Sequence, residues 1–270
     1  MMQVHRLGDV ERVGIGTEIG GRVLLTASFY VYSDLVFDSG CSNVRGEVAE
    51  WLKERGFEAV YLTHHHEDHS GNAALFDEIC AGDKTAEILA SGLEIPDYRK
   101  AVWGDVERVP ASKFRKPDVE HIHTPGHSED HVVYFADGYA FIGDLVPARR
   151  IFVALRGENF ARIIESLERV LERDFEVAFG GHGIYSREEV EEYLSYLKDR
   201  RARCVELYEM GESWMEIYRK VFGEPGEKAM MFEAVSGGEW SRENLVRAMV
   251  GVDGHEGYSG LEESSEGCRS

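Results

Sequence analysis

The sequence is short of amides: one Gln and four Asn stand against 50 acidic and 30 basic residues. Replacing thermolabile amides with ion pairs is what a high working temperature favours. Cysteine is scarce too. Its four positions, 41, 80, 204 and 268, include no Cys-x-x-Cys pair, which argues against a zinc knuckle or a disulfide framework. No apolar run is long enough to span a bilayer, since the longest, Val23 to Tyr32, is interrupted by Thr26 and Ser28. With no signal-like opening, the expectation is a cytoplasmic protein with no membrane segment. Basic charge is in deficit, and the net charge of −20 gives a field that repels phosphate backbones. Nucleic acid is disfavoured as a partner, and Lys198, Arg200, Arg201 and Arg203 read as a solvated helix face. There is no Gly-x-Ser-x-Gly elbow and Cys41 has no base beside it, so covalent catalysis is not supported.

What the chain does have is a run of imidazoles. Residues 64 to 69 read His-His-His-Glu-Asp-His, directly after the strand-like stretch Ala59 to Thr63. Alternate side chains of an extended chain share a face, so His64 and His66 aim at one point while His65 turns away. Ser70-Gly71-Asn72 can break the strand and start a helix, which swings Asp68 and His69 back toward the same place. Imidazole and carboxylate are the ligands that zinc and similar divalent cations take, so the run reads as a metal site. Further ligands stand at strand ends downstream. His127 follows the turn in Thr124-Pro125-Gly126-His127, Asp144 closes the strand from Tyr139, and His182 lies among glycines in Gly180-Gly181-His182-Gly183. Five His and two Asp suffice for two ions that share one carboxylate. His65 and His131 read as supports for these ligands, and His121 and His123 as packing or surface residues on a strand.

In this order and spacing the motifs resemble the metallo-β-lactamase superfamily, over residues 1 to about 185. The resemblance implies an α/β (α+β) fold, the αββα sandwich, with ligands on loops along one edge of two sheets. It also implies that His64, His66 and His127 hold a first metal, that Asp68, His69 and His182 hold a second, and that Asp144 bridges them. Asp38, in Phe37-Asp38-Ser39-Gly40, would orient ligands from behind rather than bind metal. The implied cofactors are two divalent ions, zinc first, with iron or manganese as alternatives. Carboxylates at both 68 and 144 make the chain look like the glyoxalase II, lactonase and RNase Z branches rather than a true β-lactamase. No counterpart of glyoxalase II's basic glutathione-binding residues follows His182.

The implied reaction is hydrolysis of a small acyl substrate, a thioester or lactone ahead of other esters. A hydroxide bridging the two ions would be the nucleophile, with Asp68 orienting it and passing on its proton. Tyr185, Arg149 and Arg150 are candidate substrate contacts. Two alternatives stay open: a phosphodiesterase or ribonuclease on the same site, and a dioxygenase holding one iron on the first trio alone.

For organisation, the sequence predicts a catalytic domain over 1–185, a helical appendage over 186–250 and a disordered tail over 251–270, rich in Gly, Ser and Glu. Helices are expected over Val44 to Arg55, from Phe160 to Leu171, from Ser186 (a cap, with Glu189 three residues on) to Leu207, and over Trp214 to Phe222. A strand is expected over Glu87 to Ala90, and the stretch from Asp97 to Arg108, with Tyr98 and Trp103, reads as a loop over the site mouth. The appendage is expected to wall the substrate pocket or to pair two copies as a homodimer.

Overall fold

A computed structural model describes residues 1–19 and 22–252; the tail expected to be disordered lies, from residue 253, outside the described residues. The strands are β1 (Met2–Leu7), β2 (Val10–Ile19), β3 (Arg22–Tyr32), β4 (Leu35–Phe37), β5 (Ala59–Tyr61), β6 (Glu78–Cys80), β7 (Phe114–Arg115), β8 (His121–His123), β9 (Val132–Ala136), β10 (Tyr139–Gly143), β11 (Ala154–Leu155), β12 (Val177–Gly180), β13 (Ile184–Ser186) and β14 (Trp240–Ser241). The helices are α1 (Arg45–Arg55), α2 (Glu67–Ser70), α3 (Asp83–Ser91), α4 (Asp97–Trp103), α5 (Phe160–Leu171), α6 (Arg187–Glu209), α7 (Trp214–Phe222), α8 (Glu227–Ser236) and α9 (Arg242–Val250).

Strands β1 to β7 form a seven-stranded sheet in sequence order, antiparallel up to β4 and parallel from there. A five-stranded sheet runs β13-β12-β10-β9-β8, and β11 pairs with β14 in a separate ribbon. Between the two large sheets lies an aromatic layer in which Phe37 of the first stacks on Phe141 of the second, ring centroids 3.7 Å apart and nearly parallel. On the outer face of the first sheet, Val48, Trp51 and Leu52 of α1 and Leu89 of α3 cover Ile15, Val60 and Ile79. On the outer face of the second, Ile163 and Leu167 of α5 share one core with Leu197 of α6, Ile217 of α7 and Val246 of α9. The layers therefore run helix, sheet, sheet, helix, and burial on both faces of each sheet holds them together.

Three local expectations are corrected. Glu87 to Ala90 lies within α3, where Thr85 and Leu89 are the buried pair; their spacing of four is helical, and a four-residue window was too short to display it. Asp97 to Arg108 is not all loop either. Its first half is α4, which ends at Gly104 (φ 88°) and buries Trp103. The helix in the His-rich run also starts earlier than Ser70, at Glu67. By contrast α6 and α7 start where the sequence indicates, each behind a capping box, Ser186 with Glu189 and Ser213 with Glu216. Among the described residues no helix is long and apolar enough to cross a membrane.

Candidate metal centre

The seven candidate ligands stand just past strand ends of both sheets, five on loops and two, Asp68 and His69, in the short helix α2. His64, His66, Asp68 and His69 follow β5 of the first sheet; His127 follows β8, Asp144 follows β10 and His182 follows β12, all of the second. They form two groups, His64, His66 and His127 in one, and Asp68, His69, Asp144 and His182 in the other, the donor atoms of each group lying within 4.8 Å of one another. Asp144 lies against both. Its Oδ2 is 3.7 Å from His127 Nε2 and 3.3 Å from His182 Nε2, and its Oδ1 is 3.2 Å from His69 Nε2. His66 Nδ1 and His127 Nε2 face each other at 2.9 Å. All are buried except His182, which marks the open side of the site.

Each of these imidazoles outside the His66–His127 contact engages a protein partner through one nitrogen and turns the other inward. His69 Nδ1 donates to Asp38 Oδ2 at 2.7 Å, His182 Nδ1 to the Thr26 carbonyl at 2.8 Å, and His64 Nδ1 lies 3.1 Å from Thr63 Oγ1. His127 Nδ1 donates to Glu158 Oε1 at 2.7 Å. A carboxylate or carbonyl behind the ring fixes its tautomer and aim, as metal-ligating histidines require. Asp38 also accepts from the Thr63 backbone N–H at 2.8 Å and from its hydroxyl. It does so from a left-handed backbone (φ 64°), a conformation Asp tolerates better than most residues.

Three polar atoms converge without hydrogen-bond partners: His64 Nε2, His69 Nε2 and Asp144 Oδ1 are sealed from solvent and unsatisfied. Leaving such an atom unpaired costs about 1–3 kcal/mol. A cation at each group would satisfy all of them, so the residues fit two metal ions. The charges agree. Burial holds His64 and His66 well below the usual imidazole range, and neutral imidazole is the form that binds metal. Burial also works against charge on His69 and His182, but the carboxylate of Asp144, with Asp38 and Asp68 around His69 and Asp68 beside His182, raises both well above it. That field is a demand for positive charge that a metal ion would meet in place of protons. Backbone space is reserved as well, for a Cβ on Gly181 would lie 2.5 Å from His69 Cε1 and 2.6 Å from Asp144 Oδ1.

The remaining singled-out residues support or surround the site. His65, turned away, donates from Nδ1 to Asp130 Oδ1 at 2.9 Å, and Asp130 Oδ2 accepts from Thr85 at 2.9 Å. His131 Nε2 accepts from the Asp144 backbone N–H at 3.2 Å, which leaves Nδ1 as donor to Thr124 Oγ1 at 2.8 Å. Burial lowers its pKa to about 3, so it stays neutral. His121 and His123 are exposed on β8. Cys41 is fully enclosed, and burial pushes its thiol up to about 12, out of reach of thiolate chemistry. Arg149, Arg150 and Tyr185 line a cavity of about 200 Å³ together with Val146, Tyr193 and Tyr196. Sequence reasoning did not pick out Glu158, Thr26, Asp130 or the pair Glu67 and Arg99. Only Glu67 carried a signal, its place inside the His-rich run; the others come from far along the chain.

Comparison with known proteins agrees in kind. The model of the Metallo-beta-lactamase superfamily matches residues 23–182. A Beta-lactamase-like protein 2 homolog from Drosophila melanogaster is 25% identical over 173 residues, 60% of this chain and 58% of that protein. A hydroxyacylglutathione hydrolase from Idiomarina loihiensis is 31% identical over 100 residues, 36% of each chain. The matches thus span less than two thirds of these relatives' length. A solved metallo-beta-lactamase family protein from Thermus thermophilus shares the fold, with a TM-score of 0.60 at 17% identity, covering 90% of this chain and 92% of that one.

Proposed function

Since the chain belongs to the metallo-beta-lactamase superfamily, we propose that it is a dinuclear metal-dependent hydrolase of a small acyl substrate, with thioesters and lactones ahead of other esters. The observation that carries this reading is the reach of Asp144, whose oxygens lie 3.7 Å from an imidazole of the first group and 3.2 and 3.3 Å from two of the second. Two divalent ions, zinc foremost, would supply water acidified to near neutral pH and polarise the substrate's carbonyl oxygen. His64, His66 and His127 would hold one ion, Asp68, His69 and His182 the other, and Asp144 both.

The chain's own residues do the rest. Asp38 and Glu158 keep His69 and His127 aimed inward through bonds of 2.7 Å each. Asp68 lies 3.5 Å from His182 Nε2, and its carboxylate is held below the usual range because His69 and His182 outweigh the effect of burial, so it stays ionised and can orient the attacking water by accepting its hydrogen bond. No nucleophilic side chain is required, in keeping with the raised thiol of Cys41. The cavity lined by Tyr185, Arg149 and Arg150, together with Glu189 and Glu192, is the proposed place for the acyl group, and Arg150 lies 4.7 Å over the Tyr196 ring. The thioester preference is supported by the name of one relative, a hydroxyacylglutathione hydrolase.

The test is purification without chelator, metal quantification, and a screen of thioesters, lactones and bis-p-nitrophenyl phosphate. We expect about two divalent ions per chain and turnover of an acyl substrate. Faster turnover of the phosphodiester than of every acyl substrate would replace this reading with a phosphodiesterase. A single iron with oxygen consumption would replace it with a dioxygenase.

A further inference from the structure

Glu67 stands inside the His-rich run, in the first turn of α2, and is almost wholly enclosed. A carboxylate enclosed without a counter-charge is costly, and Arg99 of α4 supplies one. The guanidinium donates from Nε to Glu67 Oε1 at 2.5 Å and from Nη2 to Oε2 at 2.6 Å. Two parallel bonds fix direction as well as charge, so this fork sets the orientation of the turn that carries Asp68 and His69. Arg99 is itself held, for its Nη1 donates to Glu239 Oε1 at 3.3 Å while the Tyr98 hydroxyl donates to Glu239 Oε2 at 2.7 Å.

Glu239 belongs to the far end of the chain, just before β14. Its carbonyl accepts from the Arg156 backbone N–H at 2.9 Å, beside the pairing of β14 with β11. On β11, the Leu155 N–H donates to Glu158 Oε2 at 3.1 Å, and the other oxygen of that carboxylate accepts from His127. Two chains of contacts therefore leave residues 239–241. One passes through Arg99 and Glu67 to the turn bearing Asp68 and His69, and the other through β11 and Glu158 to His127.

We propose that Glu239 and Arg99 form a clasp by which the C-terminal segment positions both halves of the metal centre. Arg99 is a positioning residue here; it belongs to neither group of candidate ligands and acts on Asp68 and His69 through Glu67. The clasp rests on the dinuclear reading for what it positions, and its geometry stands without it.

Charge and position predict opposite signs. By Coulomb's law alone, removing the Arg99 cation beside a cation site would tighten metal binding. The clasp predicts the reverse. Arg99→Met, and Arg99→Lys, which keeps the charge and loses the fork, should each weaken zinc binding in a competition titration by about tenfold or more, the loss typical when a ligand's support is removed. Glu239→Gln should give a smaller loss in the same direction, and it decides the matter if the Arg99 variants do not fold. Hydrogen exchange on the metal-free full chain is the second readout. Arg99→Met should speed exchange in residues 64–72 and 236–242 together. Tighter or unchanged zinc binding in Arg99→Met, or unchanged exchange over 64–72, overturns the clasp. If the wild-type chain binds no divalent metal, the proposed function falls, and exchange alone decides the clasp.

Discussion

Asp144 has two oxygens and three imidazole nitrogens close to them, between 3.2 and 3.7 Å away. On the proposed reading, a carboxylate in that position decides how many ions are held. Asp144→Ala is expected to lower bound metal from about two ions to one or fewer and kcat by orders of magnitude, because one ion alone acidifies water less well. Full metal content with near-normal turnover would remove Asp144 from the site. Asp130 makes a separate prediction. Burial works against its charge, but its bond and charge pairing with His65 outweigh this and bring its pKa down to about 2 from 3.8. A carboxylate whose pKa is depressed by folding contributes stability above its unfolded value and loses it as pH falls toward the folded one. The contribution is about 2 kcal/mol at 1.36 kcal/mol per unit, present above about pH 4 and gone by about pH 2. Denaturant unfolding of wild type and Asp130→Asn should differ by about that amount at pH 6 and converge near pH 2; a gap unchanged with pH would exclude this origin. The candidate ligands were legible as a cluster because each sits in a local motif after a strand, and the fold brings them into the two groups. Glu158 and Thr26, which aim His127 and His182, carry no local mark and are brought to the rings only when the chain folds back.

At the scale of elements, legibility followed the length of the pattern. α5 repeats apolar residues over three turns, and Phe160, Ile163, Ile164, Leu167 and Val170 are its buried face, as the spacing indicates. α3 offered two buried positions, Thr85 and Leu89, and so passed for a strand. Helix α5 is where the second sheet meets α6 and α9, and Leu167 at its centre is fully enclosed. Leu167→Ala is expected to cost about 2–5 kcal/mol, the removed contacts plus the cavity left behind. Urea unfolding measures it, and a loss well under about 1 kcal/mol would mean the layer collapses around the gap.

For the whole molecule the net charge of −20 is the governing quantity. Among the basic residues of α6, Lys198 pairs with Glu168. Arg200 donates to the Val221 carbonyl at 2.7 Å and lies over the Tyr196 ring, and Arg203 pairs with Glu206. We expect no measurable affinity for RNA at about 150 mM salt, where the Debye length is about 8 Å. Submicromolar binding there, weakened by neutralising Arg200, Arg201 and Arg203, would promote the nuclease over the acyl hydrolase. The candidate ligands are divided between the two sheets, which bears on when the site can form. The first sheet delivers His64 to His69, and the second delivers His127, Asp144 and His182. Neither group of donors is complete within one sheet, so neither exists until the two aromatic faces have docked. Pairings this distant in sequence form slowly. A chain still emerging from the ribosome can therefore present scattered histidines but no finished site before residue 182 is made, and on the proposed reading the uptake of both ions is a late event that reports the joining of the sheets.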